Sequence, residues 1–237
     1  MAERRHASSR NDDGAFGYWP LAGSFLLVLL LLAVVAMLFV GLVGYVYSRV
    51  GLSNGWFFAI LIGSFIGSRI NIPIWRFSDQ VTVESLDVVA FGVRWRVPAV
   101  RHTGRVTLAA NVGGAVIPTA VSVYLVVHSR IWMHSLVAIA CVAAVVWMVA
   151  RPIPGVGIVV PTLVPPTAAA LTATIIGRPA VAALAYVCGT VGTLLGGDLI
   201  NLWRTRGLGA PVVSIGGAGT FDGIFITGLL AVVLASL

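Results

Sequence analysis

LAGSFLLVLLLLAVVAMLFVGLVGYVY, residues 21–47, contains no charged side chain, and its reading decides the fold class. A helix rises 1.5 Å per residue, so about 20 apolar residues cross a hydrocarbon core of about 30 Å. This run exceeds that length. It is also too long for a signal-peptide core and has no small-residue cleavage site before its polar end, which predicts a retained first span. Outward from it, apolar runs separated by polar breaks recur at 53–70, 106–127, 132–150, 156–177, 179–203 and 219–237. The expected fold is therefore all-α: a polytopic transmembrane helix bundle of about seven spans, with broken helices and a small cytoplasmic β-hairpin.

Composition agrees. Hydrophobic residues make up 59% of the 237 and charged residues only 10%, against about 25% charged in an average soluble domain. That excludes a water-soluble fold and makes the lipid bilayer the first partner. The formal charge of +7 comes entirely from Arg scattered at span ends, so no nucleic acid is expected. Cys141 and Cys188 lie inside apolar runs, and His6, His102, His128 and His134 lie in the tail or at span ends. None has metal-ligand spacing, so neither a metal nor a cofactor is expected. Residues 1–20 are polar and read as a disordered cytoplasmic tail. Residues 21–237 read as a single transmembrane domain, interrupted by the loop at 76–105.

With the amino terminus inside, twelve arginines fall on the inner side and three, Arg49, Arg130 and Arg178, on the outer side. Positive flanks are retained in the cytoplasm, which predicts a multi-pass protein of the cell (inner) membrane with its amino terminus cytoplasmic. Six of the seven Trp residues fall near span ends, as an interfacial belt requires. The loop at 76–105 contains QVTVESLDVVAFGVRWRVP, whose β-branched alternation predicts the hairpin.

Breaks inside spans point inward, because freed backbone groups must find partners within the protein. The second span ends in GSRINIPIWRF (67–77), with Arg69, Asn71 and Pro73; the third carries Asn111, Gly113, Gly114 and Pro118. The fifth begins PIPGVGIVVPTLVPP (152–166), five prolines that predict a re-entrant or unwound first half around Pro161. Six of the eight acidic residues lie in the tail or loop. The other two, Asp198 and Asp222, lie in the last two spans. A charge within a span costs at least ~2.5 kcal/mol, which makes both candidate catalytic residues. Helix rise places them ~9 Å and ~8 Å from the inner face, close enough in depth to meet. LLGGDLIN (194–201) surrounds the first and SIGGAGTFDGIF (214–225) the second, with Gly197 and Gly219 allowing close or unwound backbone. Asn201, one helical turn past Asp198, is within reach of its carboxyl. Asn201, Asn111, Asn71, Arg69, Pro161, Gly197 and Gly219 are the candidate substrate- or solute-binding residues.

SRINIPI (68–74), Gly196–Asn201 and GGAGTFDGIF (216–225) resemble the domain-of-unknown-function 1614 family of bacterial and archaeal membrane proteins, over most of the chain after the first span. That resemblance implies a membrane protein and no stated activity. A weaker similarity is to intramembrane aspartyl proteases of the presenilin and prepilin peptidase type. Their Gly-x-Gly-Asp motif looks like Gly196-Gly197-Asp198, and their aromatic-Asp looks like Phe221-Asp222, here in reversed order, with Leu195 where the first glycine would stand. Three functions stay open: a diaspartyl hydrolase cleaving a membrane-embedded peptide, a small proton- or cation-coupled transporter or channel, and a structural or assembly protein. The oligomeric state is not legible.

Overall fold

A computed structural model describes residues 19–52, 54–82, 87–90, 93–96, 101–153, 157–177, 180–205, 212–217 and 223–237. The tail expected to be disordered lies almost wholly outside them. The chain divides into two units, residues 1–42 and 43–237. The first holds most of helix α1 (Trp19–Val50), whose residues from Val28 to Leu42 are all exposed. Apolar surface on that scale requires a non-aqueous cover.

The second unit is mostly helical. Helices α2 (Asn54–Gly67), α3 (Ile117–His128), α4 (Trp132–Val149), α5 (Val164–Ile176), α6 (Val181–Thr193) and α7 (Gly223–Ala235) follow in order. Helix α6 is central: it packs against α3, α4, α5 and α7, and every residue from Ala183 to Thr190 is buried. Small residues permit this. A Cβ on Gly192 would meet Val142 at 2.8 Å, and one on Gly196 would strike the Ala143 carbonyl, so α4 lies directly on the α6 backbone there.

Three stretches among the described residues are long and apolar enough to cross a membrane: Val28–Val50, Trp132–Val149 and Val181–Arg204. The other apolar helices have 10–17 residues, or ~15–26 Å, short of the expected spans. Strands account for part of the difference. Strand β1 (Asn71–Thr82) pairs antiparallel with β4 (Arg101–Asn111), from Asn71↔Asn111 to Thr82↔Arg101. Residues 106–111, expected to open the third span, belong to β4. The polar loop is thus the tip of a longer arm, and its inner hairpin joins β2 (Asp87–Ala90) to β3 (Val93–Arg96). β1 is an edge strand, where Pro73 beside a register shift removes no central ladder bond.

Strands β5 (Arg151–Ile153) and β6 (Gly157–Val159) form a second hairpin from the proline-rich stretch. Helix α5 begins only at Val164, and its two prolines occupy the first turn, where an amide hydrogen has no helical acceptor. Strand β7 (Val212–Ile215) adds to β4 in parallel, with Ala109 opposite Ser214. Leu108, Ala115, Leu194, Ile215 and Ile224 form a second core cluster that fastens this sheet to the end of α6 and the start of α3 and α7.

Replacing Gly196 by Ala forces apart α4 and α6. We expect a loss of ~1–3 kcal/mol, read as a lower unfolding midpoint in detergent, whereas Gly55→Ala, with nothing within 4 Å of the new methyl, leaves the midpoint near the parent value.

Candidate functional site

Four segments that are remote in sequence meet where the sheet joins the bundle. The first is the turn from α2 into β1, and the second is the end of β4. Asn111, 1% exposed, closes β4 and caps a π-turn (Val112–Val116) that leads into α3. Its Oδ1 accepts from the Gly114 amide at 2.8 Å, the usual role of an N-cap side chain. Its Nδ2 donates to the Ser68 carbonyl at 2.6 Å and to Asn71 Oδ1 at 3.1 Å. A Cβ on Gly113 would strike the Ser64 carbonyl, so α2 and the π-turn touch backbone to backbone.

β7 and the turn after it form the third segment. Ser214 Oγ lies 2.7 Å from Asn71 Oδ1 and also contacts the Gly217 carbonyl. Gly216 and Gly217 have φ of +81° and +90°, the left-handed region that only glycine enters without strain. A Cβ on Gly216 would lie 2.6 Å from the Ala115 amide, so space requires glycine as well.

The fourth segment is a π-turn (Leu194–Leu199) that continues α6 and carries half-buried Asp198. Asp198 Oδ2 accepts from the Gly216 amide at 2.7 Å. In this turn the Ile200 amide bonds to the Leu195 carbonyl, five residues back, which leaves the Gly196 carbonyl without its helical donor. Asn201 fills the gap: its Nδ2 donates to the carbonyls of Gly196 at 2.7 Å and Gly197 at 3.2 Å. The Asn201 amide thus closes the π-turn beneath Asp198. Its Oδ1 is buried with no partner among the described residues.

Asn71, Asn111 and Asp198 are therefore joined in one network, with Asn201 and Gly197 holding the turn that carries Asp198. Arg69 is exposed beside Ser68, and Pro161 is half-buried before α5, where its carbonyl accepts from the Val164 amide at 3.1 Å; neither takes part in these bonds. Asp222 and Gly219 lie outside the described residues. Ser214 was not singled out by sequence, because its role depends on a parallel pairing with β4 across more than 100 residues. Among the described residues no group of three or more His, Cys, Asp or Glu could hold a metal ion. The network instead gathers carboxylate, carboxamide, hydroxyl and carbonyl oxygens, ligands suited to a proton or a hard cation.

A family model described as "Protein of unknown function (DUF1614)" matches residues 65–234, which include every residue of the network. No curated protein and no solved structure matches the chain. None of these comparisons supports the similarity to aspartyl proteases.

Asn111→Ala strands the Gly114 amide and the Ser68 carbonyl in a buried junction. At ~1–3 kcal/mol for each stranded group, the variant should unfold well below the parent in detergent. Ser214→Ala, which removes a half-buried hydroxyl, should cost about 1 kcal/mol. Equal midpoints for the two variants would contradict the central place given to Asn111.

Proposed function

This chain belongs to the DUF1614 family, and we propose that it is a multi-pass membrane protein that binds a proton or small cation at Asp198, as the coupling site of a small transporter. One observation carries the reading. The carboxylate sits on an interrupted turn of the central, buried helix, against a left-handed glycine turn, and the buried Asn201 Oδ1 that lacks a donor lies one turn away. Interrupted helices whose freed carbonyls and amides surround an acidic residue are how membrane transporters build ion sites. Asn71, Asn111 and Ser214 hold that site in place, and the Gly197 carbonyl takes a bond from Asn201.

The proposed topology has seven spans, the four short helices included, with the amino terminus, the β1–β4 arm and Arg204 on the cytoplasmic side of the inner membrane. The arginine bias supports it. A second reading, a diaspartyl hydrolase acting on a membrane-embedded peptide, keeps one observation in its favour. Ile224, two residues after Asp222, packs in the cluster that contains Leu194 and Ile215, the neighbours of the Asp198 turn. It requires the two carboxyls within about one water of each other.

The test is the unfolding midpoint of purified protein in sodium, potassium, lithium or choline chloride at fixed ionic strength, and across pH. The parent should be stabilised by one of these ions, by about 2.7 kcal/mol at a hundredfold excess over Kd. Asp198→Asn keeps the side-chain shape and should lose the response. An unchanged response in Asp198→Asn would sink the reading. Membrane proteins left uncleaved in cells carrying Asp198→Asn or Asp222→Asn would favour the hydrolase.

A further inference from the structure

We propose that the ion moved through this site is a proton, delivered to Asp198 by a file of buried hydroxyls formed by Tyr47, Tyr186, Thr190 and Thr193. The inference rests on the reading of Asp198 as an ion site and names the ion and its route. Tyr47, Tyr186 and Thr190 are fully buried, and Thr193 is 7% exposed. Positions 186, 190 and 193 share one face of α6. The Tyr186 and Tyr47 rings are 6.2 Å apart and tilted by 50°, and neither the Tyr186 nor the Thr190 hydroxyl makes a hydrogen bond among the described residues.

The π-turn extends the file. In an α-helix, residues five apart stand about 140° around the axis from each other. A turn that bonds each amide to the carbonyl five residues back brings them close to one line. The turn starts directly after Thr193, and in the proposed route it carries Asp198 toward that hydroxyl. From Tyr186 to Asp198 the helix rises ~18 Å of a core of about 30 Å. Tyr47 stands three residues from the end of α1 at Val50.

Hydroxyls elsewhere in the bundle show the usual alternative. Ser122, Thr167, Thr172, Thr174 and Ser236 each donate to the carbonyl four residues back, at 2.6–2.8 Å. Thr190 and Thr193 do not, and neither do Ser64 and Ser135. Leaving a buried hydroxyl without an acceptor has a cost, and in the proposed route that cost keeps the hydroxyl available to its neighbours in the file. Gly228 keeps room for it: a Cβ there would lie 2.5 Å from Thr190 Oγ1 and 3.2 Å from the Tyr186 ring.

The chemistry suits a proton and no larger ion. A metal cation needs several oxygens around it at each station, whereas the file offers about one per turn. Each hydroxyl can accept a proton on its oxygen as it passes its own hydrogen to the next. One proton enters at Tyr47, one reaches the Asp198 carboxylate, and every O–H is restored as each hydroxyl turns in sequence toward its neighbour.

Full-length protein in vesicles containing a pH-sensitive dye, under an imposed proton gradient with potassium and valinomycin to clamp the potential, tests this. The parent should acidify the lumen. Asp198→Asn should abolish the flux, and Tyr186→Phe and Thr190→Val should each lower it at least tenfold. Thr190→Ser, which restores a hydroxyl, should recover most of it. If Asp198→Asn is dead while Tyr186→Phe and Thr190→Val conduct as the parent does, the hydroxyl route is wrong and the Asp198 site survives. Absence of proton flux with Asp198-dependent sodium uptake would overturn the proton and keep the site. Parent-like flux in Asp198→Asn would overturn both.

Discussion

One buried carboxamide, that of Asn111, holds the junction between sheet and bundle. It is the last residue of β4 and the cap of the π-turn that starts α3, so it fixes the point where extended chain becomes helix. Its three hydrogen bonds reach the end of α2, the start of β1 and its own helix. An alanine there would leave main-chain groups unpaired where water is scarce, and a leucine, with no donor or acceptor, would leave the same groups unpaired. Because Asn71 is bonded to both Asn111 and Ser214, the same carboxamide sets the position of β7. Gly216, just past β7, then sets the orientation of Asp198.

Irregular backbone collects at this junction because it can be satisfied only there. Two π-turns and a left-handed glycine turn lie in one region, and each leaves a carbonyl or amide outside the regular helix or strand pattern. In lipid each unpaired group would cost several kcal/mol, so such turns survive only where side chains or neighbouring main chain replace the lost bonds. Asn201 does so for Gly196 and Gly197, Asn111 for Ser68 and Gly114, and Asp198 for Gly216. The carboxylate therefore has a structural role as well as the ion-binding role proposed for it. That is a reason to test it with asparagine, which keeps an acceptor for the Gly216 amide.

Much of this was legible residue by residue, and little of it as an arrangement. Asn71, Asn111 and Asp198 stood out because polar side chains are costly within apolar runs, and that cost does not depend on topology. Their meeting depends on two long-range pairings that leave no local periodicity. Strand β4 ends in Val106, Leu108, Ala109 and Ala110, an apolar stretch that reads equally well as the start of a helix. β7 has only four residues. Counting apolar runs therefore lengthened the third and fifth spans by residues that are in fact strand. The prolines of the fifth run were legible because proline forbids a helix interior regardless of tertiary context. The pairing of Asp198 with Asp222 is a matter of depth and glycine content alone, since Asp222 lies outside the described residues.

Helix α6 shows why packing and chemistry can share one element. It is surrounded by four other helices, so a polar group on it avoids the cost of facing lipid. Its neighbours differ around its circumference. Gly192 and Gly196 meet Val142 and Ala143 of α4, while Tyr186 and Thr190 face Gly228 of α7 and, through Tyr186, the ring of Tyr47. Close approach is needed on the first face and room for hydroxyls on the second. A bulkier residue on the α4 face would loosen the bundle without touching the hydroxyls, and a valine for Thr190 would remove a hydroxyl without altering the α4 contact. The π-turn after Thr193 carries the Asp198 carboxylate to the Gly216 amide while Gly196 keeps its place against Ala143 of α4.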